Sequence, residues 1–322
     1  MTPNLHVRRA RRPLACIAAG LAALVMVPSA AASAGGPQFA AWTVVGKIDD
    51  IAGNDADLNT GSADGCPIQS PDGLSLFLAS NRPGGKGGLD IWMATREHTN
   101  DAWGAPVNLP EPINSASNDF CPTPLEGGSL LFVSNRVVEG VTCGMGDIYV
   151  ARRNPSRDWG DPEHLPCAPN GPNSPLDEQG PSYAQGRLYF SSSSPTVPGD
   201  LFVSTKAGDS FGPASPIVEL NDRGANDIQP NVRKDGRELV FSSNRTGGAG
   251  GQDIWTATRA SVADAWSTPV NVSSVNTTLG ETRPSLSSDA EQLLFGRAGP
   301  AGTGEGGSGA SDIYVATRSK NP

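Results

Sequence analysis

Pro71-Asp72-Gly73 leads into Leu74-Ser75-Leu76-Phe77-Leu78-Ala79 and Ser80-Asn81-Arg82, then a glycine loop and Asp90-Ile91-Trp92. Lys234-Asp235-Gly236 opens a second copy, through Leu239-Val240-Phe241, Ser243-Asn244-Arg245, another glycine loop and Asp253-Ile254-Trp255. Between them stand Phe132, Ser134-Asn135-Arg136 and Asp147-Ile148-Tyr149. They are followed by Phe190 and Asp200-Leu201-Phe202, where Ser193-Ser194 replaces Asn-Arg. A last copy has Phe295, Gly296-Arg297 and Asp312-Ile313-Tyr314. The aspartates 90, 147, 200, 253 and 312 mark five units, spaced by 57, 53, 53 and 59 residues. Self-similarity at such a period marks a repeat architecture.

Each unit predicts strands. Its runs are short, rich in Val, Phe, Tyr and Trp, and bounded by Gly, Asn or Asp. Asp-Gly at 72–73 and 235–236 signals tight hairpins, because these residues tolerate positive φ. A further strand starts at an aromatic residue: Trp103 to Leu109, Trp159 to Leu165, Phe211 to Leu220 and Trp266 to Val272. With the strand before the Asp-Gly turn, each unit has four strands. The last unit lacks its fourth, but Trp42 to Ile48 resembles Trp266 to Val272 and precedes the first unit. The N-terminal strand is therefore expected to pair with the strand near Asp312 and close a ring. Four-stranded units in a closed ring make a five-bladed, all-β propeller, with residues 35–322 as one domain. A linear array is the alternative, and the displaced Trp42 strand disfavours it.

The order Pro-Asp-Gly, Phe-x-Ser-Asn-Arg, glycine loop, Asp-Ile-Trp resembles the WD40-like PD40 repeat of TolB-type propellers. The resemblance covers nearly all of residues 42–318 and is sharpest in units one, two and four. It implies the fold more firmly than any activity.

Composition agrees. The chain has 322 residues with 39 Gly and 28 Pro, which leaves little room for long helices and excludes a helical bundle or coiled coil. Residues 1–34 are expected to be a secretory signal peptide. Arg8, Arg9, Arg11 and Arg12 precede an apolar run from Leu14 to Val27, and Ala32-Ser33-Ala34 forms a cleavage site. The remaining chain is expected to be periplasmic or secreted, without a transmembrane segment. Removing four arginines and no acids takes the formal charge from −9 to −13. An acidic surface repels phosphate backbones, so nucleic acid is excluded as a partner. Four cysteines remain, and two bridges are expected, Cys66–Cys121 and Cys143–Cys167. Cys66 and Cys121 hold equivalent places before Pro67 and Pro122, near the axis.

An acid stands three residues before the proline of every first strand: Asp64, Asp119, Glu178, Asp227 and Glu281. A propeller's first strand is innermost, so these five are expected to ring one mouth of the central channel, on the Asn-Arg face. Their default role is structural, accepting backbone N–H groups or pairing with Arg82, Arg136, Arg245 or Arg297. Unit three has no such arginine, which leaves Glu178 the least neutralised. As a ligand site, the ring with its arginines could hold calcium through oxygen ligands. Alternatively, Asp64, Asp119 and Glu178 resemble the Asp, Asp, Glu order of five-bladed glycosidases, whose chemistry needs paired carboxylates. Asp227 and Glu281 continue the series, which weakens that likeness. The glycine loops lack the Gly-Lys-Ser/Thr of a P-loop, and there is no Gly-x-Ser-x-Gly elbow. Only His98 and His164 follow the signal, so zinc chemistry has little material. The tryptophans keep the repeat period and are expected to pack between blades. The sequence thus points to a monomeric, non-enzymatic propeller without a cofactor, binding a protein or glycan of the cell envelope. A carbohydrate-active enzyme is the rival.

Overall fold

The computed structural model describes residues 39–299 and 311–321, together with Met1. The expected signal peptide falls outside them, Met1 excepted. Twenty strands build five antiparallel sheets of four. The first strand among the described residues is β1 (Thr43–Lys47). Blade 1 is β2 (Asp64–Gln69), β3 (Ser75–Ser80), β4 (Asp90–Thr95) and β5 (Val107–Asn108). Blade 2 is β6 (Asp119–Pro124), β7 (Leu130–Ser134), β8 (Asp147–Ala151) and β9 (Glu163–His164). Blade 3 is β10 (Asp177–Ala184), β11 (Arg187–Ser194), β12 (Val197–Ala207) and β13 (Ser210–Pro216). Blade 4 is β14 (Asp227–Val232), β15 (Glu238–Ser243), β16 (Asp253–Thr258) and β17 (Val270–Asn271). Blade 5 is β18 (Glu281–Leu286), β19 (Gln292–Ala298) and β20 (Ser311–Thr317), completed by β1.

The closing pairs are Thr43 with Thr317, Val44 with Ala316, Gly46 with Val315 and Lys47 with Tyr314. The first strands touch in the order β2, β6, β10, β14, β18 and back to β2, which makes them the inner wall of a ring. The protein is a five-bladed β-propeller. Among the described residues, no helix is long and apolar enough to cross a membrane.

Five apolar clusters fill the five interfaces between neighbouring blades. Leu130, Phe132 and Tyr149 meet Phe77 and Ile91 between blades 1 and 2. Leu294, Ile313 and Val315 meet Leu76, Leu78 and Trp92 across the closing interface. The tryptophans take part as expected: Trp42, Trp103 and Trp266 are nearly inaccessible in these clusters. An arginine one or two residues past the third strand of four blades, all but blade 3, adds a further contact. The guanidiniums of Arg96, Arg153, Arg259 and Arg318 lie 4.0, 3.9, 4.0 and 4.1 Å over the rings of Trp103, Trp159, Trp266 and Trp42. Such stacking ties the end of the third strand to the start of the fourth.

Three outer strands, β5, β9 and β17, are shorter than expected, with two residues each. Pro106, Pro162 and Pro269 stand directly before them. Proline has no N–H for the ladder, so pairing begins only after it. β1 has no proline and runs for five residues.

The Asp-Gly turns form as expected, with Gly73 and Gly236 both at φ 72°. The glycine loops are anchored by the aspartate that follows them. Asp90 accepts the N–H groups of Lys86 and Gly87, and Asp253 those of Ala249 and Gly250. A Cβ on Gly85 or Gly248 would collide with these carboxylates. Both disulfides are present, with Cα separations of 4.9 Å for Cys66–Cys121 and 5.9 Å for Cys143–Cys167.

Candidate functional site

Every first strand carries one irregularity. The residue before its proline has positive φ: Cys66 (47°), Cys121 (48°), Gly180 (57°), Gln229 (55°) and Arg283 (56°). The ladder to the second strand slips at the same place in all five blades. These are β-bulges, which re-aim side chains where they occur. They turn five equivalent positions toward the axis. With Pro67, Pro122, Pro181, Pro230 and Pro284 they narrow the channel to a throat with about 30 Å³ of free space.

The five acids lie on one side of this throat, at the starts of the inner strands. All five are fully shut off from solvent. Arg82 reaches Asp64 at 2.6 Å, Arg136 reaches Asp119 at 2.7 Å, Arg245 reaches Asp227 at 2.6 Å and Arg297 reaches Glu281 at 2.8 Å. Each guanidinium also donates to a carbonyl of the segment arriving from the previous blade: Asp57, Ile113, Leu220 and Val275 respectively. The serines of the Ser-Asn-Arg motifs steer three of them, since Arg82, Arg136 and Arg245 donate from Nε to Ser80, Ser134 and Ser243. A hydroxyl residue four places earlier completes most sites. Thr60, Ser115, Ser174 and Thr277 each donate from both N–H and hydroxyl to their acid. These hydroxyls escaped the sequence reading. Their fixed offset of four from the acid was the available signal, broken only in blade 4, where the Asp222 N–H serves Asp227. The acid–arginine pairs can latch one blade to the next.

Glu178 differs, as the missing arginine implied. Its partners are Ser174 and the Ser192 hydroxyl, the latter at 3.0 Å. Burial pushes its carboxyl up to about 8; hydrogen bonds from the serines oppose the rise and the Asp147 charge adds to it. The native state therefore holds a proton that the unfolded chain releases near 4.5. This contribution is complete below pH 4.5, falls as pH rises toward about 8 and is then gone. Wild type should thus lose stability across that window relative to Glu178→Gln, by at most about 1.4 kcal/mol per pH unit. Urea midpoints at a series of pH values measure this. Parallel curves for the two proteins would mean that Glu178 is ionised in the fold.

The other side of the throat is open. A cavity of about 470 Å³ lies where the inner strands end at the hairpin turns, lined by residues of all five blades. Its wall mixes apolar groups (Ile68, Tyr183, Phe211, Leu286) with Arg152, Lys206, Lys234, Glu126 and Asp209. Lys234 pairs with Glu126 at 2.7 Å across the rim. A second hollow of about 580 Å³ shares Pro71, Pro124, Leu125, Glu126 and Ser129 with it and runs outward between blades 1 and 2, past Phe77, Met93 and Trp159. None of the five acids lines any of these spaces. The candidate residues legible in the sequence lie on the opposite side of the throat from this recess. Its lining does not recur from blade to blade, so no periodic signal marked it.

Cys143, His164 and Cys167 converge within 4.8 Å, a spacing suited to a metal. Both sulfurs are joined in the disulfide, which leaves no thiolate, and His164 Nε2 sits 2.9 Å from Asp147.

No family model matches this chain. No curated protein matches it either. Among solved structures, it is similar to the RGII complex of BT0996, with TM-score 0.55 and 12% identity over 87% of this chain and 92% of that one. It is also similar to an alpha-L-arabinofuranosidase from Lactobacillus brevis, with TM-score 0.50 and 14% identity over 83% and 94%. A putative TolB from Agrobacterium tumefaciens has TM-score 0.46 and 19% identity over 74% and 71%. For the two with TM-scores of 0.50 or above, likeness at these identities speaks to the fold alone.

Proposed function

We propose that this chain is an exported, non-enzymatic propeller of the PD40 type that binds a protein or glycan of the cell envelope through its hairpin face. One observation carries this. Asp64 and Asp119 are inaccessible and ion-paired, and Glu178 is inaccessible and held by serines, whereas the open recess of mixed apolar and charged groups lies beyond the throat. A glycosidase needs two carboxylates facing the sugar with room for it between them. Concave sites with a few polar groups on apolar walls are the usual seats of ligands. The enzymatic alternative rests on Glu178, the one member of the ring without an arginine.

The test pairs a glycan array and an envelope-extract pull-down with two variants of the exported chain. Tyr183→Ala with Lys206→Glu should cut binding at least about tenfold, a loss of roughly 1.4 kcal/mol. Glu178→Gln should leave binding unchanged. Glycan hydrolysis by wild type that disappears in Glu178→Gln would establish the enzyme instead. Calcium titrated into wild type should release no heat that depends on Glu178.

A further inference from the structure

We propose that the throat of the channel is a binding site for one small monovalent anion of halide size, held between the Arg283 guanidinium and the Gln229 amide. Arg283 and Gln229 occupy on blades 5 and 4 the bulge position that Cys66, Cys121 and Gly180 occupy on blades 1, 2 and 3. All five line the same 30 Å³ space. The guanidinium lies against Gly65, where an added Cβ would stand 2.3 Å from Nη1. Only a glycine leaves the cation this room.

Arg283 is unlike the other arginines near the axis. Arg82, Arg136, Arg245 and Arg297 each have a carboxylate, in one-to-one pairs. Among the described residues Arg283 has no ion pair and no side-chain hydrogen bond; its backbone N–H donates to the Ser242 hydroxyl at 3.1 Å. Its Nε is enclosed without a partner. Burial lowers its pKa, and no acid offsets the effect. Gln229 is 7% exposed, and its Oε1 is likewise enclosed without a partner. The prolines around the throat have no N–H to offer. An amide can turn to present its NH₂, so cation and amide together can form a donor set.

A guanidinium does not shed its proton, and although Arg283 is only half-buried as a residue, its enclosed Nε is a charged donor left without a partner, which is costly. The ring offers no spare charge to pair it: four acids are taken by four arginines, and Glu178 holds its proton at neutral pH. An anion entering from the hairpin-side cavity answers both unpartnered groups. The size of the space limits which anion. It suits one or two water-sized occupants, hence a halide, and is too small for phosphate or a sugar acid. Such an ion would join blades 4 and 5 at the axis, opposite the disulfide that joins blades 1 and 2.

Thermal unfolding of the exported chain in sodium bromide and in sodium gluconate, at equal ionic strength, tests the site. Wild type should melt about 3 °C or more higher in bromide. Arg283→Met should remove that difference, and Gln229→Leu should reduce it. Should Arg283→Met fail to fold, Gln229→Leu and anomalous diffraction from a bromide-grown crystal decide, with a peak expected beside the guanidinium. Equal melting in the two salts for wild type, an undiminished bromide increment in a folded variant, or a throat without anomalous signal would overturn the proposal.

Discussion

Deleting residues 35–50 should lower the melting temperature by at least about 10 °C. The deletion removes β1, the outer strand of blade 5, and with it the ladder to β20. It also removes Trp42 and Ile48, both buried in interblade clusters, and the 2.8 Å pair between Lys47 and Asp312. Truncating a buried Trp costs about 3–5 kcal/mol and a buried Ile about 2–5. Their sum rivals the entire stability of a typical domain, about 5–15 kcal/mol. Arg318 transmits the damage, because it stacks on Trp42 and also donates two 2.8 Å bonds to buried Glu238 of blade 4. The deletion also exposes the free edge of β20, inviting association. Scanning calorimetry and light scattering would register both effects. A truncated protein that melts like wild type would sink the closed ring.

Arg136→Met should destabilise the fold by about 3–5 kcal/mol in urea unfolding, because it strands the carboxylate of Asp119 in a fully enclosed site. The guanidinium also serves the carbonyls of Pro112 and Ile113, so the loop leading into blade 2 loses its anchor. Adding Asp119→Asn should recover part of the loss, since the uncompensated charge is then gone. Single and double variants that simply add would show that the two side chains are not coupled. A loss below about 1 kcal/mol for Arg136→Met would mean that the pair behaves like an exposed surface bridge.

The blades were legible because their determinants recur. Asp-Gly turns, Ser-Asn-Arg motifs and the aspartate before each aromatic strand repeat at fixed spacing, and the misplaced Trp42 segment revealed how the ring closes. The two bridges followed from the equivalence of Cys66 and Cys121. Recurrence identifies equivalent positions but carries no sign of what covers them. The five acids could be located from the repeat, yet their inaccessibility depends on arginines and hydroxyls folding over them. The recess on the hairpin face was illegible for the converse reason. It is built from residues as unlike as Gln69, Pro124, Tyr183, Val232 and Leu286, brought together only by the fivefold arrangement. The throat mixes both cases: its bulges recur, but the disulfide, Gly180, Gln229 and Arg283 that fill them do not.

The partnership of β1 with β20 also sets a calendar for the chain's synthesis. Of the propeller's strands, the first to be made pairs with the last. Blades 1 to 4 can each complete their own sheet as they emerge, since all four of their strands are contiguous. Thr43–Lys47 must wait, unpaired, until Ser311–Thr317 has been made. Contacts between such distant parts of a chain are slow to form, and an incomplete ring exposes strand edges in the meantime. Any factor that guards the nascent propeller would therefore be needed most at β1 and β20, and released last there.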